Sequence, residues 1–174
     1  MSKLTLTQKL RTGHLVRWHM VRVARQQTVA EHMYRVYLIT QSLCQALEVT
    51  DFNEATLAES WALWHDLPEV VLGDIPTPTK ALMGDLRHEE MNVDDDFRDL
   101  ARAVTGDCPV VEYIVKLADL AESIEFLRTE GMGPRAREIQ FDLRAAHTKV
   151  WYEARKRWPE YNWAVAQNLM DEIL

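Results

Sequence analysis

The chain has 174 residues, 47% hydrophobic and 27% charged, the balance of one soluble globular domain with a substantial core. A formal net charge of −7 disfavours attraction to a phosphate backbone, so a nucleic acid polymer is not an expected partner, although local Lys and Arg can still hold a small anion. Two cysteines, Cys44 and Cys108, are too few for a disulfide framework or a sulfur-ligated zinc site, and no signal-peptide core or run of roughly 18 apolar residues is visible, so a cytosolic protein without a membrane partner is expected.

Helical periodicity dominates and strand signals are weak, which predicts an all-α fold. Residues 4–13 form a short amphipathic opening, and residues 17–27 are irregular or extended. Thr28-Val-Ala-Glu31 has the form of a capping box, in which the Thr hydroxyl and the Glu carboxylate satisfy free amides reciprocally. It starts a helix running to about residue 47, with Val29, Met33, Val36, Thr40, Leu43 and Leu47 on its apolar face and His32 among them. Asp51 and Glu54 suggest a second cap, opening a helix over residues 53–66 whose inner face carries Ala58, Trp61, Ala62 and His65. Pro68 restarts the backbone, Gly73 stops it, and Pro76-Thr-Pro78 forces an extended turn. A charged, largely solvent-facing helix is expected over residues 86–104, followed by a break at 106–109. A long helix over 110–130 ends at Gly131-Met-Gly-Pro134, and closing helices follow near 135–157 and 160–173. Trp61, Trp64, Trp151, Trp158 and Trp163 read as packing.

Chemistry concentrates in His32, His65, Asp66 and Asp119, carried by three segments that all read as helix. Three packed helices can bring two imidazoles and two carboxylates to one buried point, which makes a divalent-metal site with mixed nitrogen and oxygen ligands. Asp119 lies between Val115 and Phe126 on a mostly apolar helix, where a bare carboxylate is costly unless paired or coordinated. A lone histidine on an apolar face is more often a core residue, and His-Asp is a common dipeptide, so the argument rests on the four together. The set suits one divalent transition metal, Zn, Co or Mn, with Ni also compatible. Glu69 lies three residues past Asp66, and Asp74 sits on a bend after Gly73. Carboxylates placed there can orient a water and move its proton. The plainer readings are a surface charge for Glu69 and a turn residue for Asp74.

In this order the residues resemble the HD-domain phosphohydrolase superfamily, whose His…His-Asp…Asp pattern matches His32, His65-Asp66 and Asp119. Over residues 15–127 the chain is similar to the bacterial 5′-deoxynucleotidases. Arg17-Trp18 with Arg22, Glu31-His32, Glu69, Gly73-Asp74, Pro76-Thr77-Pro78-Thr79-Lys80, and Lys116 with Asp119 carry that likeness. The chain is also similar to short bacteriophage HD proteins that act as dATP triphosphohydrolases, and its length favours that branch. The resemblance implies a compact HD-domain helical bundle with the metal site between core helices. It implies His32, His65, Asp66 and Asp119 as ligands, with Glu69 and Asp74 handling the water and the leaving oxygen. It further implies Arg17, Lys80 and Lys116 on phosphate, Trp18 against the sugar with no room for a 2′-hydroxyl, and Met20 near the base. The implied activity is metal-dependent hydrolysis of 2′-deoxynucleotides, with dATP giving deoxyadenosine and triphosphate. A homo-oligomer in the cytoplasm of a bacterium or phage-infected cell is the implied setting. Two alternatives stay open: a 5′-deoxynucleotidase acting on monophosphates, and a non-catalytic HD module that binds a nucleotide.

Overall fold

The computed structural model describes residues 3–76, 79, 82–83 and 86–174. In chain order it forms α1 (Leu6–Lys9), a 3-10 turn (Leu10–Gly13), α2 (Val29–Ala46), α3 (Phe52–Trp64), α4 (Glu69–Leu72), α5 (Arg87–Met91), α6 (Asp95–Arg102), a π-helical turn (Ala103–Asp107), α7 (Pro109–Glu130), α8 (Gly133–Arg157) and α9 (Trp163–Ile173). Two isolated bridges but no strand occur among the described residues, so the fold is all-α. None of the described helices is long and apolar enough to cross a membrane.

Among the described helices, the one with the most buried residues sits at the centre. Pro109 opens α7 at a position where the missing N–H costs nothing. Val111, Ile114, Leu117, Ala118, Ala121 and Ile124 are then buried around several of its sides, as expected of an interior helix. α2 and α3 pack against it and each other, and α8 runs back along it. Trp151 of α8 meets Trp163 of α9 edge-to-face at 5.2 Å, closing the core with Ala166 and Met170. Trp158 meets Tyr113 at 5.0 Å and Trp61 meets Phe97 at 5.5 Å, which confirms their packing role.

The segment before α2 is irregular, as expected, but firmly held. Val16 bridges Thr28 and Val23 bridges Gly131, so this loop is stapled to the start of α2 and the end of α7. Trp18 has φ 64°, left-handed backbone that a bulky residue adopts only when its surroundings hold it there. Its ring stacks on Phe126 at 5.9 Å.

Two local expectations are corrected. The Thr28 hydroxyl caps the Glu31 amide at 3.1 Å, but Glu31 does not complete a capping box. Its carboxylate turns to Arg25, 2.8 Å away, because a charged partner outcompetes a backbone amide. The charged helix expected over 86–104 is two helices, broken where Asp94 caps α6 through the Phe97 amide at 3.1 Å. Phe97, Ala101 and Val104 are buried, so this segment contributes to a core rather than facing solvent.

Candidate metal centre

Where α2 begins, α3 ends and α7 passes its midpoint, four of the expected residues converge. His32 lies in the first turn of α2, fully buried. His65 terminates α3, and the turn that follows carries Asp66. One ligand atom from each of His32, His65 and Asp66 lies within 4.8 Å of the others. Asp66 Oδ2 is 3.4 Å from His32 Nε2 and 3.6 Å from His65 Nε2. Asp119 Oδ1 approaches from α7, 3.3 Å from His32 Nε2.

Hydrogen bonds behind the rings aim them. His32 Nδ1 lies 2.6 Å from Glu122 Oε2, and His65 Nδ1 lies 2.9 Å from the Ala62 carbonyl. Both partners only accept, so each ring donates from Nδ1 and leaves the Nε2 lone pair facing the carboxylates. Both Nε2 atoms are buried without a hydrogen-bond partner. Two such nitrogens beside two carboxylates fit a divalent cation.

The electrostatics agree. Burial opposes ionisation of Asp119, yet Lys116 and the two histidines hold its carboxyl well below the ordinary range. Asp66 is lowered against burial by His65, His32 and Arg17. Burial and Arg17 oppose protonation of His32, but Asp119 and Glu122 outweigh them and raise its pKa. Burial also opposes the charge of Arg17, which Asp66, Asp119, Glu122 and Glu69 nonetheless hold in place.

The remaining expected residues among those described have these surroundings. Arg17 Nη1 is 3.6 Å from Glu122 Oε2. Glu69 is buried at the start of α4, its amide bonded to the Asp66 carbonyl at 3.1 Å. Lys116 Nζ contacts Asp119 Oδ2 at 2.8 Å and is half exposed. Asp74 pairs with His19 Nδ1 at 3.4 Å. Trp18 donates from Nε1 to Gln27 Oε1 at 2.8 Å, and Met20 is exposed. Lys80 lies outside the described residues.

Sequence reasoning missed the layer behind the centre. Glu122 is fully buried and receives Arg35 Nε at 2.8 Å and Gln27 Nε2 at 2.6 Å on its other oxygen. Its signal was position: three residues after Asp119, it shares that residue's helix face, between Ala121 and Ser123. His19 was also missed, although it stands between Trp18 and Met20.

Known proteins resemble this chain in sequence and fold. The profile of the family described as 5′-deoxynucleotidase YfbR-like matches residues 5–102, more than half of the chain. A dATP triphosphohydrolase of Acinetobacter phage SH-Ab 15497 is 31% identical, over 100% of this chain and 93% of that protein. A dATP triphosphohydrolase of cyanophage S-2L is 32% identical, over 76% of this chain and 75% of its own. The solved structure of the cyanophage S-2L HD phosphohydrolase (DatZ), bound to dA and one catalytic Zn2+ ion, matches with a TM-score of 0.79 and 27% identity. That match covers 99% of this chain and 96% of the other. The chain belongs to the YfbR-like 5′-deoxynucleotidase family of HD phosphohydrolases.

Proposed function

We propose that this protein is a metal-dependent phosphohydrolase of 2′-deoxynucleotides that converts dATP to deoxyadenosine and triphosphate. The observation that carries the reading is the buried pair of unpartnered Nε2 atoms facing Asp66 and Asp119. The phage dATP triphosphohydrolases, alike along most of the chain, support the substrate. The zinc and dA of the cyanophage structure support zinc as the ion and an adenine deoxynucleoside as the leaving product; Co or Mn would suit the same donors.

His32, His65, Asp66 and Asp119 would hold the ion. Bound there, it supplies Lewis acidity, which makes water a competent nucleophile near neutral pH and draws charge from a phosphoryl oxygen. Glu69, buried one turn beyond Asp66, orients the water and accepts its proton. Asp74, held by His19, serves the leaving oxygen. Arg17 presents a planar fork to phosphate, and Lys116 and Lys80 add point charges. Trp18 packs against the sugar and leaves no space for a 2′-hydroxyl, and Met20 meets the base. The homo-oligomer belongs to the same reading, as does the cytoplasmic setting, for which the phage relatives support intracellular action.

Phosphate release from deoxynucleoside monophosphates is the second reading, favoured by the family profile itself. Product analysis by ion-exchange chromatography separates the two. Incubation with dATP, dAMP, ATP and dGTP, each with Zn, Co, Mn or Mg, should give deoxyadenosine and intact triphosphate from dATP. Orthophosphate from several monophosphates, with dATP inert, would move the protein to the second reading. No turnover with any ion would leave a nucleotide-binding module.

A further inference from the structure

Behind the metal centre, a line of hydrogen bonds leaves the His32 ring and ends at Trp18. Glu122 Oε2 lies 2.6 Å from His32 Nδ1. Glu122 Oε1 accepts from Gln27 Nε2 at 2.6 Å, and Gln27 Oε1 accepts from Trp18 Nε1 at 2.8 Å. Gln27 and Glu122 are both fully buried. An indole N–H only donates and a carboxylate only accepts, so the Gln27 amide has one usable orientation. The same logic fixes His32 as the Nδ1–H tautomer, with its Nε2 lone pair turned to the site. The Gln27 carbonyl also accepts from the Arg17 amide at 2.8 Å, so one residue positions the backbone of Arg17 and the ring of Trp18.

We propose that Gln27 and Glu122 are positioning residues forming a relay that couples the seating of Trp18 to the metal affinity of His32. Glu122 sets the ring's tautomer and direction, as carboxylates behind metal-bound histidines do. Gln27 extends that control by one side chain to the loop residue that faces the sugar. In a buried network each bond depends on its neighbours, so loss at the Trp18 end is felt at the metal end. Linkage is reciprocal: a sugar that seats Trp18 tightens the metal, and the metal tightens the sugar. The relay rests on the metal site and the Trp18 assignment proposed above.

The test measures Zn2+ and Co2+ affinity of the full chain by chelator competition, without nucleotide. Glu122→Gln keeps the volume and should weaken binding by about 10–100-fold. Trp18→Phe keeps an aromatic ring against Phe126 but removes the N–H, and should weaken binding by about fivefold, the scale of one neutral hydrogen bond. In a Gln27→Leu background, Trp18→Phe should have no further effect, since the path is already cut. Proton–nitrogen NMR of the zinc-loaded protein should show a hydrogen-bonded His32 Nδ1–H in the wild type and a shifted one in Glu122→Gln. Thermal unfolding of each metal-free variant checks that it folds. If Glu122→Gln fails that check, the Trp18 and Gln27 cycle still decides. A Trp18→Phe effect of equal size in both backgrounds, or no effect in either, would overturn the relay. A wild-type protein that binds neither ion would overturn the metal reading, and the relay with it.

Discussion

Asp66 and Asp119 present oxygens within 3.4 Å of an imidazole nitrogen, whereas Glu69 stands a helical turn away, bonded to the Asp66 carbonyl through its amide. On the proposed function, that difference would divide ligands from a proton carrier. Asp119→Ala should lose the metal, measured as zinc content after dialysis. Glu69→Ala should keep it and lose about 10²–10⁴ in turnover, the range of a general base. Selectivity should follow Trp18: in Trp18→Ala, hydrolysis of ATP relative to dATP should rise, and an equal loss on both would make the ring purely structural. The convergence of these four side chains was legible because imidazole and carboxylate at three helical sites form a recognisable set. Glu122 was not, because a glutamate on a helix resembles a solvated charge until tertiary packing closes over it. His19 was not, because its partner Asp74 is remote in sequence.

At the scale of elements, the joint between α5 and α6 rests on Asp94. Its buried carboxylate accepts the Phe97 amide at 3.1 Å and the Leu4 amide at 2.8 Å, with Lys9 Nζ at 3.3 Å. One side chain therefore caps α6 and ties the N-terminal segment to it. Asp94→Ala should cost about 2–4 kcal/mol, a lost cap plus a buried amide left unpaired, read as a shifted urea midpoint. Periodicity located the long helices within a few residues, since α2, α7 and α8 are fixed by their own apolar faces and stop signals. It ran α5 and α6 together because Asp94 sits in an unbroken acidic run, Asp94-Asp95-Asp96, in which a capping aspartate looks like its neighbours. The half-formed cap of α2 was hidden for a related reason: the competing partner of Glu31, Arg25, lies in a loop that no periodicity describes.

For the whole molecule, acid should be destabilising through His147 of α8. An unfolded imidazole titrates near 6.5, but burial, with Arg144 adding to it, pushes His147 down to about 4. Between those values the unfolded chain binds a proton that the folded chain refuses. Stability is therefore fully present above about pH 6.5, falls as the pH drops towards 4, and loses nothing more below that. The loss is on the order of 3 kcal/mol. Unfolding at about pH 7 and about pH 4.5 should show a smaller difference for His147→Phe than for the wild type. Zinc acts in the opposite sense: at about a thousandfold excess over Kd it should add about 4 kcal/mol, raising Tm by roughly 8–16 °C until a chelator is added. The metal centre draws its donors from α2, the end of α3 and α7, the helices that pack against one another in the interior. An ion there is a keystone of the architecture as well as a reagent. In a cell short of zinc, this chain should open more often, meet proteases sooner and fall in abundance, so that supply of the ion governs how many copies survive as well as how fast each one works.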